Sequence, residues 1–274
     1  IYSIFEIRKL VFKNRNNFSK IIFISNQHFA NVISVISLAS INWIKLILIE
    51  RNNPIELDYS NKLKDKIIKI LIKITYRFSN RIISISKELG KDLEKLCDKK
   101  VITIYNPSFD KSIFNFINKK FIKKKSKIIL NVARFEKQKN QLMLLESFKK
   151  IHKNIDAKLL LVGYGSQKHK LKEYINTNNL NKKVLLISDS KNVFDYYKIA
   201  DLFVLTSIYE GFGNVLVEAG MFKIPIISTN CKSGPKEILN NGKFGDLVSI
   251  GDNDKLSELI IKNLKKPNKV KIFQ

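Results

Sequence analysis

Two carboxylates flank a glycine-rich segment in the second half of the chain. In "YEGFGNVLVEAG", residues 209–220, Glu210 precedes Gly211 and Gly213, and Glu218 follows inside a predicted helix. Glycines let the main chain turn sharply into a helix, whose free N–H groups favour a phosphate. Carboxylates accept hydrogen bonds from sugar hydroxyls. The segment therefore predicts a nucleotide-sugar site, with helix-start charges favoured by the macrodipole as the alternative for the two acids.

Two cations follow a predicted strand earlier in the chain. In "NVARFEKQKN", Arg134 and Lys139 are five residues apart, so a short turn can direct both at one anion. A guanidinium grips phosphate oxygens as a fork, while an ammonium acts as a point charge. A third such loop, "LLLVGYGSQ", has Gly163 and Gly165, which permit close backbone approach to a ligand or simply form a tight turn.

The chain is strongly basic. Its 274 residues include 50 Lys and Arg against 24 Asp and Glu, a formal net charge of +26. This excess fits a nucleic acid, an anionic membrane or phosphorylated substrates, and a coding bias towards Lys explains it equally well. The basic residues are dispersed, and there is no recognition-helix, zinc or aromatic RNA-binding pattern, so we expect no nucleic-acid partner. Cys97 and Cys231 are isolated, which favours a reducing, cytoplasmic location.

Apolar strands alternate with amphipathic helices along the whole chain, which predicts an α/β fold with parallel sheets covered by helices on both faces. We expect two doubly wound units, residues 1–104 and 127–274, joined by a linker over residues 105–126. Residues 21–50 are the only candidate membrane span. Polar residues interrupt this stretch, which therefore divides better into a strand, a helix and a strand.

The segment "YEGFGNVLVEAG" resembles the ExxxxxxxE signature of retaining glycosyltransferases with the GT-B fold, family 4 of the sugar-transferase classification. The resemblance extends through "NVARFEKQKNQLMLLESF" and through residues 200–248, so it covers most of residues 127–257. It implies two Rossmann-like, doubly wound parallel-sheet domains and an enzyme that transfers sugar from a nucleotide-sugar with retention.

The resemblance also implies roles for individual residues. Arg134 and Lys139 would hold the donor diphosphate and stabilise it as it leaves, Glu210 would contact the transferred sugar, and Glu218 the ribose. These roles require neither a protein nucleophile nor a metal cofactor, and they make Arg134, Lys139 and Glu210 the catalytic residues. The implied donor-binding residues are Arg134, Lys139, Gly163, Glu210, Gly211, Phe212, Gly213, Asn214, Val215, Leu216 and Glu218.

The form "SGPKEIL", residues 233–239, is similar to the branch that builds bacterial surface polysaccharides and lipid-linked oligosaccharides. This similarity implies a UDP-linked hexose or N-acetylhexosamine donor and a glycan or polyprenyl-linked acceptor. Glu237 in this motif is interpreted as a loop-fixing or helix-start residue. Asp252 and Asp254 in "GDND" mimic a metal-binding DxD pair, but turn and N-cap chemistry explains them better.

The first unit resembles the acceptor-side domain only in its later part. Relatives place a histidine near the donor sugar after an early strand. This chain has "ERNN" there, and His28 lies on an earlier loop, where a surface or packing role is as good an interpretation. A first strand and a glycine-rich loop are expected ahead of Ile1, so the remaining sheet should expose an edge. We expect weak nucleotide binding and feeble transfer by this chain, and an inactive donor-binding fragment remains an alternative.

A further helix is predicted within residues 61–78. Its apolar stripe comprises Leu63, Ile67, Ile70, Leu71 and Ile74, with Lys62, Lys66, Lys69 and Lys73 around it. Two interpretations stay open: the stripe packs on its own sheet, or the helix lies on the anionic inner face of the cell membrane as a peripheral contact.

Overall fold

The computed structural model describes residues 2–59, 62–108, 126–188 and 192–266. The chain divides into two compact units, Ile1–Asn106 with Lys232–Gly234, and Pro107–Cys231 with Pro235–Gln274. Most of the predicted linker, residues 105–126, lies outside the described residues.

The first unit is a four-stranded parallel sheet with helices between successive strands. The strands follow chain order across the sheet and are β1 (Ile21–Asn26), β2 (Ile44–Glu50), β3 (Arg81–Ser84) and β4 (Val101–Thr103). The helices are α1 (Tyr2–Lys13), α2 (His28–Leu38), α3 (Leu63–Thr75) and α4 (Lys87–Cys97), with 3₁₀ turns at Arg15–Asn17, Pro54–Tyr59 and Tyr76–Phe78.

The candidate membrane span forms β1, α2 and β2, as its interrupted pattern predicts. Alternate residues of β2 face the core, where Leu46 and Leu48 are buried. Within the described ranges, no helix is both long enough and apolar enough to cross a bilayer.

Strand β1 forms an edge of the sheet in the described part of the chain. Ile22 and Ile24 point to the same side of this strand, and each is 60% exposed. An exposed edge was expected for this unit, and unpaired edges with exposed apolar residues favour association with further strands.

His28 lies neither on a loop nor on the surface, which corrects the surface interpretation of this residue. It is the first residue of α2 and is buried, with Nδ1 2.8 Å from Glu50 Oε2 and Nε2 2.9 Å from Glu56 Oε1. Tyr76 and Asn31 donate hydrogen bonds to Glu50. Burial alone would lower the pKa of His28, but the two carboxylates outweigh it and raise this pKa to about 9. His28 is therefore a buried cation that joins α2, β2 and the turn after β2.

The second unit is a six-stranded, wholly parallel sheet of the order β10-β9-β8-β5-β6-β7. Its strands are β5 (Lys127–Val132), β6 (Ala157–Val162), β7 (Val184–Ile187), β8 (Leu202–Leu205), β9 (Ile226–Thr229) and β10 (Asp246–Val248). Its helices are α5 (Gln141–Ile151), α6 (Lys168–Thr177), α7 (Phe194–Ile199), α8 (Asn214–Met221), α9 (Pro235–Ile238) and α10 (Asn253–Lys265), with a 3₁₀ turn at Lys137–Lys139.

The core of the second unit explains why its strands read as continuous apolar runs. All four residues of β8 are buried, and α5 packs Leu144, Leu145 and Phe148 into the same core. Strands covered on both faces need apolar side chains on both faces. Both units are thus parallel α/β structures, and the predicted fold class is confirmed.

Candidate functional site

The strand order of the second unit reverses between β5 and β8. From β5 the chain proceeds outward through β6 and β7, and from β8 it proceeds the other way through β9 and β10. Strands β5 and β8 are neighbours, with Ile129 opposite Leu202. Ligands of open parallel sheets bind at such a switch point, beyond the carboxyl ends of the strands. The loops that follow these two strands contain the predicted cations and Glu210.

Hydrogen bonds hold these two loops together. The Ile208 amide donates to the Gln138 carbonyl at 2.8 Å, and the Gln138 side chain donates to the Tyr209 carbonyl at 2.8 Å. Thr206 Oγ1 donates to the Lys139 carbonyl at 3.0 Å. Because both loops are fixed to each other, the side chains that they present have a defined spacing.

Lys139 and Glu210 form an ion pair between these loops. Lys139 Nζ lies 2.5 Å from Glu210 Oε1, and the side chains are only 14% and 7% exposed. Ser207 Oγ also donates to Glu210 Oε1, at 2.6 Å. The structure therefore brings together two of the predicted catalytic residues, and it positions Glu210 through Ser207, a residue that sequence reasoning missed.

Arg134 lies directly after β5, and its side chain is exposed. Its carbonyl accepts a hydrogen bond from Gln141 Nε2 at 2.9 Å, which ties the start of the loop to the start of α5. Arg134 and Lys139 are thus on one loop at the carboxyl edge of the sheet, as their spacing predicted. Lys139 contacts Glu210, while the Arg134 guanidinium remains accessible to an anion.

Gly163 is required by packing between neighbouring loops. It has φ +152°, and a Cβ at this position would lie 2.0 Å from the Ala133 carbonyl oxygen. The next loop residue, Tyr164, accepts a hydrogen bond from the Phe135 amide at 2.7 Å. Gly163 therefore supports the loop that presents Arg134, which favours the tight-turn interpretation over a ligand-contact requirement.

The glycine-bracketed segment forms the entry to α8. Gly213 is the N-cap residue with φ +100°, a backbone conformation that residues other than glycine rarely adopt. Phe212 and Leu216 are buried on either side of it. Asn214 Oδ1 accepts from Ser108 Oγ at 3.4 Å, and the Val215 carbonyl accepts from Tyr197 at 3.4 Å. These contacts fix the first turn of α8, whose amides point towards its N-terminal end.

Glu218, on the same helix, has a different environment from Glu210. Tyr197 OH donates to Glu218 Oε2 at 2.8 Å. Burial raises the pKa of Glu218, and the hydrogen bond from Tyr197 opposes this rise. The Tyr197 ring stacks on Phe203 and Phe222 at centroid distances of 5.6 and 5.4 Å. The aromatic stack thus holds the Tyr197 hydroxyl against Glu218, and no local sequence signal identifies Tyr197 as its partner.

The other acidic residues of interest have structural roles. Asp252 is the N-cap of α10 and accepts from the Lys255 amide at 2.9 Å, as predicted. Asp254 pairs with Lys150 at 2.5 Å. Glu237 lies in the first turn of α9. Across the residues that the structure describes, no group of three or more His, Cys, Asp or Glu side chains could hold a metal ion.

Comparison with known proteins gives the family of the chain. Residues 112–274 match the family described as "Glycosyl transferases group 1". An uncharacterized glycosyltransferase from Methanocaldococcus jannaschii is 38% identical over 223 residues, which are 76% of this chain and 55% of that protein. The N-acetylgalactosamine-N,N'-diacetylbacillosaminyl-diphospho-undecaprenol 4-alpha-N-acetylgalactosaminyltransferase of Campylobacter jejuni is 30% identical over 227 residues, 82% of this chain and 61% of that protein.

Solved structures of other proteins share the fold of this chain. Anabaena HepE, crystallised in complex with UDP, superposes with a TM-score of 0.76 at 17% identity, covering 97% of this chain and 73% of that one. The chain spans 55% and 61% of the lengths of the two relatives above. Since the family match covers more than half of the chain, this protein belongs to the group 1 glycosyltransferases.

Proposed function

We propose that this chain belongs to an enzyme that transfers a hexose or N-acetylhexosamine from a UDP-linked donor to a glycan or polyprenyl-linked acceptor, with retention and without a metal cofactor. The reaction would serve surface-polysaccharide or glycoconjugate synthesis at the cytoplasmic side of the cell membrane. The observation that carries the proposal is the largely buried Lys139–Glu210 pair at the switch point between β5 and β8.

The diphosphate is proposed to bind where the positive charge is concentrated. Arg134 offers a planar fork of donors, and Lys139 offers three N–H donors, of which Glu210 occupies one. The amides at the start of α8 add the partial positive charge of a helix N-terminus. These groups stabilise the negative charge that develops on the departing diphosphate, so they supply the role that a metal has in other transferases.

The two carboxylates are proposed to read opposite ends of the donor. Glu210, held by Lys139 and Ser207, accepts hydrogen bonds from hydroxyls of the transferred sugar. Glu218, held by Tyr197, accepts hydrogen bonds from the ribose hydroxyls. Both roles need ionised carboxylates, because a protonated oxygen is a poorer acceptor.

Similar proteins support the ligand classes. The UDP bound to HepE supports UDP as the nucleotide. The name of the Campylobacter jejuni relative specifies a diphospho-undecaprenol-linked acceptor and an N-acetylgalactosaminyl transfer, which supports a lipid-linked acceptor and an N-acetylhexosamine donor here.

Calorimetric titration of the chain with UDP tests the donor site. Arg134→Ala should weaken UDP binding by about tenfold or more, since hydrogen bonds to charged groups contribute about 1.5–3 kcal/mol. Lys153→Ala is the matched control, because this exposed lysine follows the opposite end of α5. Equal losses in both variants, or no heat with wild-type protein, would contradict the proposed site.

Product analysis tests the reaction itself. The chain is incubated with UDP-N-acetylhexosamine and a polyprenyl-linked acceptor, and the anomeric proton of any product is assigned by NMR. We expect the α-configuration of the donor to be kept. A β-linked product would contradict retention while leaving the UDP site intact.

A further inference from the structure

Helix α3 of the first unit has large aliphatic side chains on its outer side. Leu63, Ile67, Ile70 and Ile74 are 72%, 47%, 58% and 51% exposed, respectively. These four residues fall within about 60° of one another on an ideal helix, so they form one continuous stripe. Ile68, Ile72 and Thr75 form the buried face instead. For these four residues the packing interpretation of the predicted stripe is wrong, because they point away from the core; Leu71, the fifth predicted member, is half-buried.

A contiguous exposed stripe of aliphatic side chains points to a partner or a membrane that removes it from water. Isolated surface aliphatics are common, whereas a contiguous row marks an interaction surface. The row continues past the end of the helix, where Phe78 is also exposed. We call this row, Leu63, Ile67, Ile70, Ile74 and Phe78, the α3 stripe.

The charge beside the α3 stripe is positive. Lys62, Lys66 and Lys73 are exposed and lie along one flank of the helix, and Arg77 is exposed next to Phe78. Within the described chain, neither Lys66 nor Lys73 forms an ion pair, whereas Lys69 is neutralised by Asp58 at 2.5 Å. An apolar row flanked by lysines such as Lys66 and Lys73, which form no ion pair in the described chain, is typical of helices that lie in the interface of anionic membranes.

A second copy of the chain is a poorer occupant of this surface. Two α3 stripes facing each other would bring lysines of like charge together, in a chain whose net charge is already +26. An anionic bilayer instead offers negative charge to the lysines and hydrocarbon to the stripe.

We propose that the α3 stripe inserts into the headgroup boundary of an anionic membrane, with Lys66 and Lys73 bound to lipid phosphates. The surface belongs to the first unit and uses no residue of the UDP site. It would hold the enzyme where a polyprenyl-linked acceptor is present.

Co-sedimentation at low salt tests this proposal, using phosphatidylcholine vesicles with and without phosphatidylglycerol. Wild-type protein should bind the vesicles that contain phosphatidylglycerol more tightly than those of phosphatidylcholine alone. Lys66→Gln/Lys73→Gln should weaken that binding by about fivefold for each lysine. The control, Lys168→Gln/Lys172→Gln, removes the same charge from exposed positions on α6 and should leave binding within about twofold.

The apolar contribution is tested separately. Ile67→Ser/Ile70→Ser should weaken binding by about fivefold or more, because insertion no longer removes these side chains from water. Since both residues are exposed, the thermal unfolding temperature and the UDP titration should be unchanged. If this pair fails to fold, Leu63→Ser/Ile74→Ser replaces it, with the same expected loss.

Three results would overturn the proposal. Equal binding to neutral and anionic vesicles would exclude the lysine contribution. An equal loss in the α6 control would show attraction by net charge alone. Dimerisation that the Ile67→Ser/Ile70→Ser pair abolishes would identify a second copy as the occupant. Each result leaves UDP binding as a separate measurement, so the proposed function can stand or fail independently.

Discussion

Removing the positive charge from the largely buried Lys139–Glu210 pair should destabilise the second unit. Among the described residues, Lys139→Met leaves the Glu210 carboxylate, 7% exposed, with a hydrogen bond from the Ser207 hydroxyl at 2.6 Å. Breaking a buried ion pair costs about 3–5 kcal/mol, and the retained Ser207 hydrogen bond reduces this cost. We therefore expect a loss of about 2–3 kcal/mol, which lowers the melting temperature by about 4–12 °C.

A double-mutant cycle separates the pair from other effects of the substitutions. In Lys139→Met/Glu210→Gln no charge is left buried, so the double variant should be more stable than the sum of the single losses by about 1–3 kcal/mol. Urea unfolding followed by circular dichroism measures all four corners. Losses that simply add, to within about 0.5 kcal/mol, would refute the coupling.

An exposed pair with the same separation is the control for this cycle. Lys150 and Asp254 also lie 2.5 Å apart, but their side chains are 46% and 84% exposed. Solvent and salt screen such pairs, so Lys150→Met should cost less than about 1 kcal/mol. The difference in cost between Lys139→Met and Lys150→Met tests the effect of burial, because the Lys–carboxylate distance is 2.5 Å in both pairs.

Further outcomes follow from the contacts around the site and in the first unit. Tyr197→Phe removes the hydrogen bond that opposes the raised pKa of Glu218, so this pKa should rise further. As the pH is lowered in a calorimetric series, Glu218 of the variant should become protonated, and UDP binding should be lost, at a higher pH than in wild type. Gly163→Ala should lower the free energy of unfolding in urea by more than about 2 kcal/mol and weaken UDP binding, because the added Cβ meets the Ala133 carbonyl oxygen. As the control, Gly251→Ala should cost about 1 kcal/mol, because a Cβ added there has no neighbouring atom within 4 Å. His28, with its pKa raised to about 9, should stabilise the first unit by up to about 3 kcal/mol below pH 6.5 and lose this contribution as the pH rises through 9. The difference in unfolding free energy between wild type and His28→Gln should therefore fall as the pH rises.

Each of these outcomes has a contrary result. An unchanged pH midpoint in Tyr197→Phe would separate Glu218 from UDP binding. Equal losses for the two glycine variants would mean that the Ala133 contact is relieved at no cost. A His28 difference that rises with pH would mean that the histidine is buried in its neutral form.

Elements with one buried face could be predicted from the sequence, and elements without one could not. Helix α4 has such a face, with Leu89, Leu93 and Cys97 buried, and local residues mark its ends, since Ser86 caps it and Asp98 is left-handed after it. Helix α1 was missed because Val11 is its only buried residue, so its apolar positions mark no face. In α3, apolar residues lie on both sides, and periodicity alone could not show that Ile72 is buried while Ile70 is exposed.

The same limit applies to the candidate site. Arg134, Lys139 and Glu210 lie in the loops that follow strands β5 and β8, so local sequence places them at the carboxyl edge of the sheet. The contact between Lys139 and Glu210 depends on β5 and β8 being neighbours, which is a property of strand order. Tyr197 reaches Glu218 across 21 residues of sequence, and no spacing rule relates the two.

The central claim is that UDP binds at the carboxyl ends of β5 and β8, and backbone-amide NMR of the labelled chain tests it most directly. Added UDP should shift the resonances of Gly211, Gly213 and Leu216 along one saturable curve, because these amides lie at the entry to α8. Leu89 and Leu93, in the core of the first unit, should not shift. Shifts confined to the first unit, or none at millimolar UDP, would contradict the account.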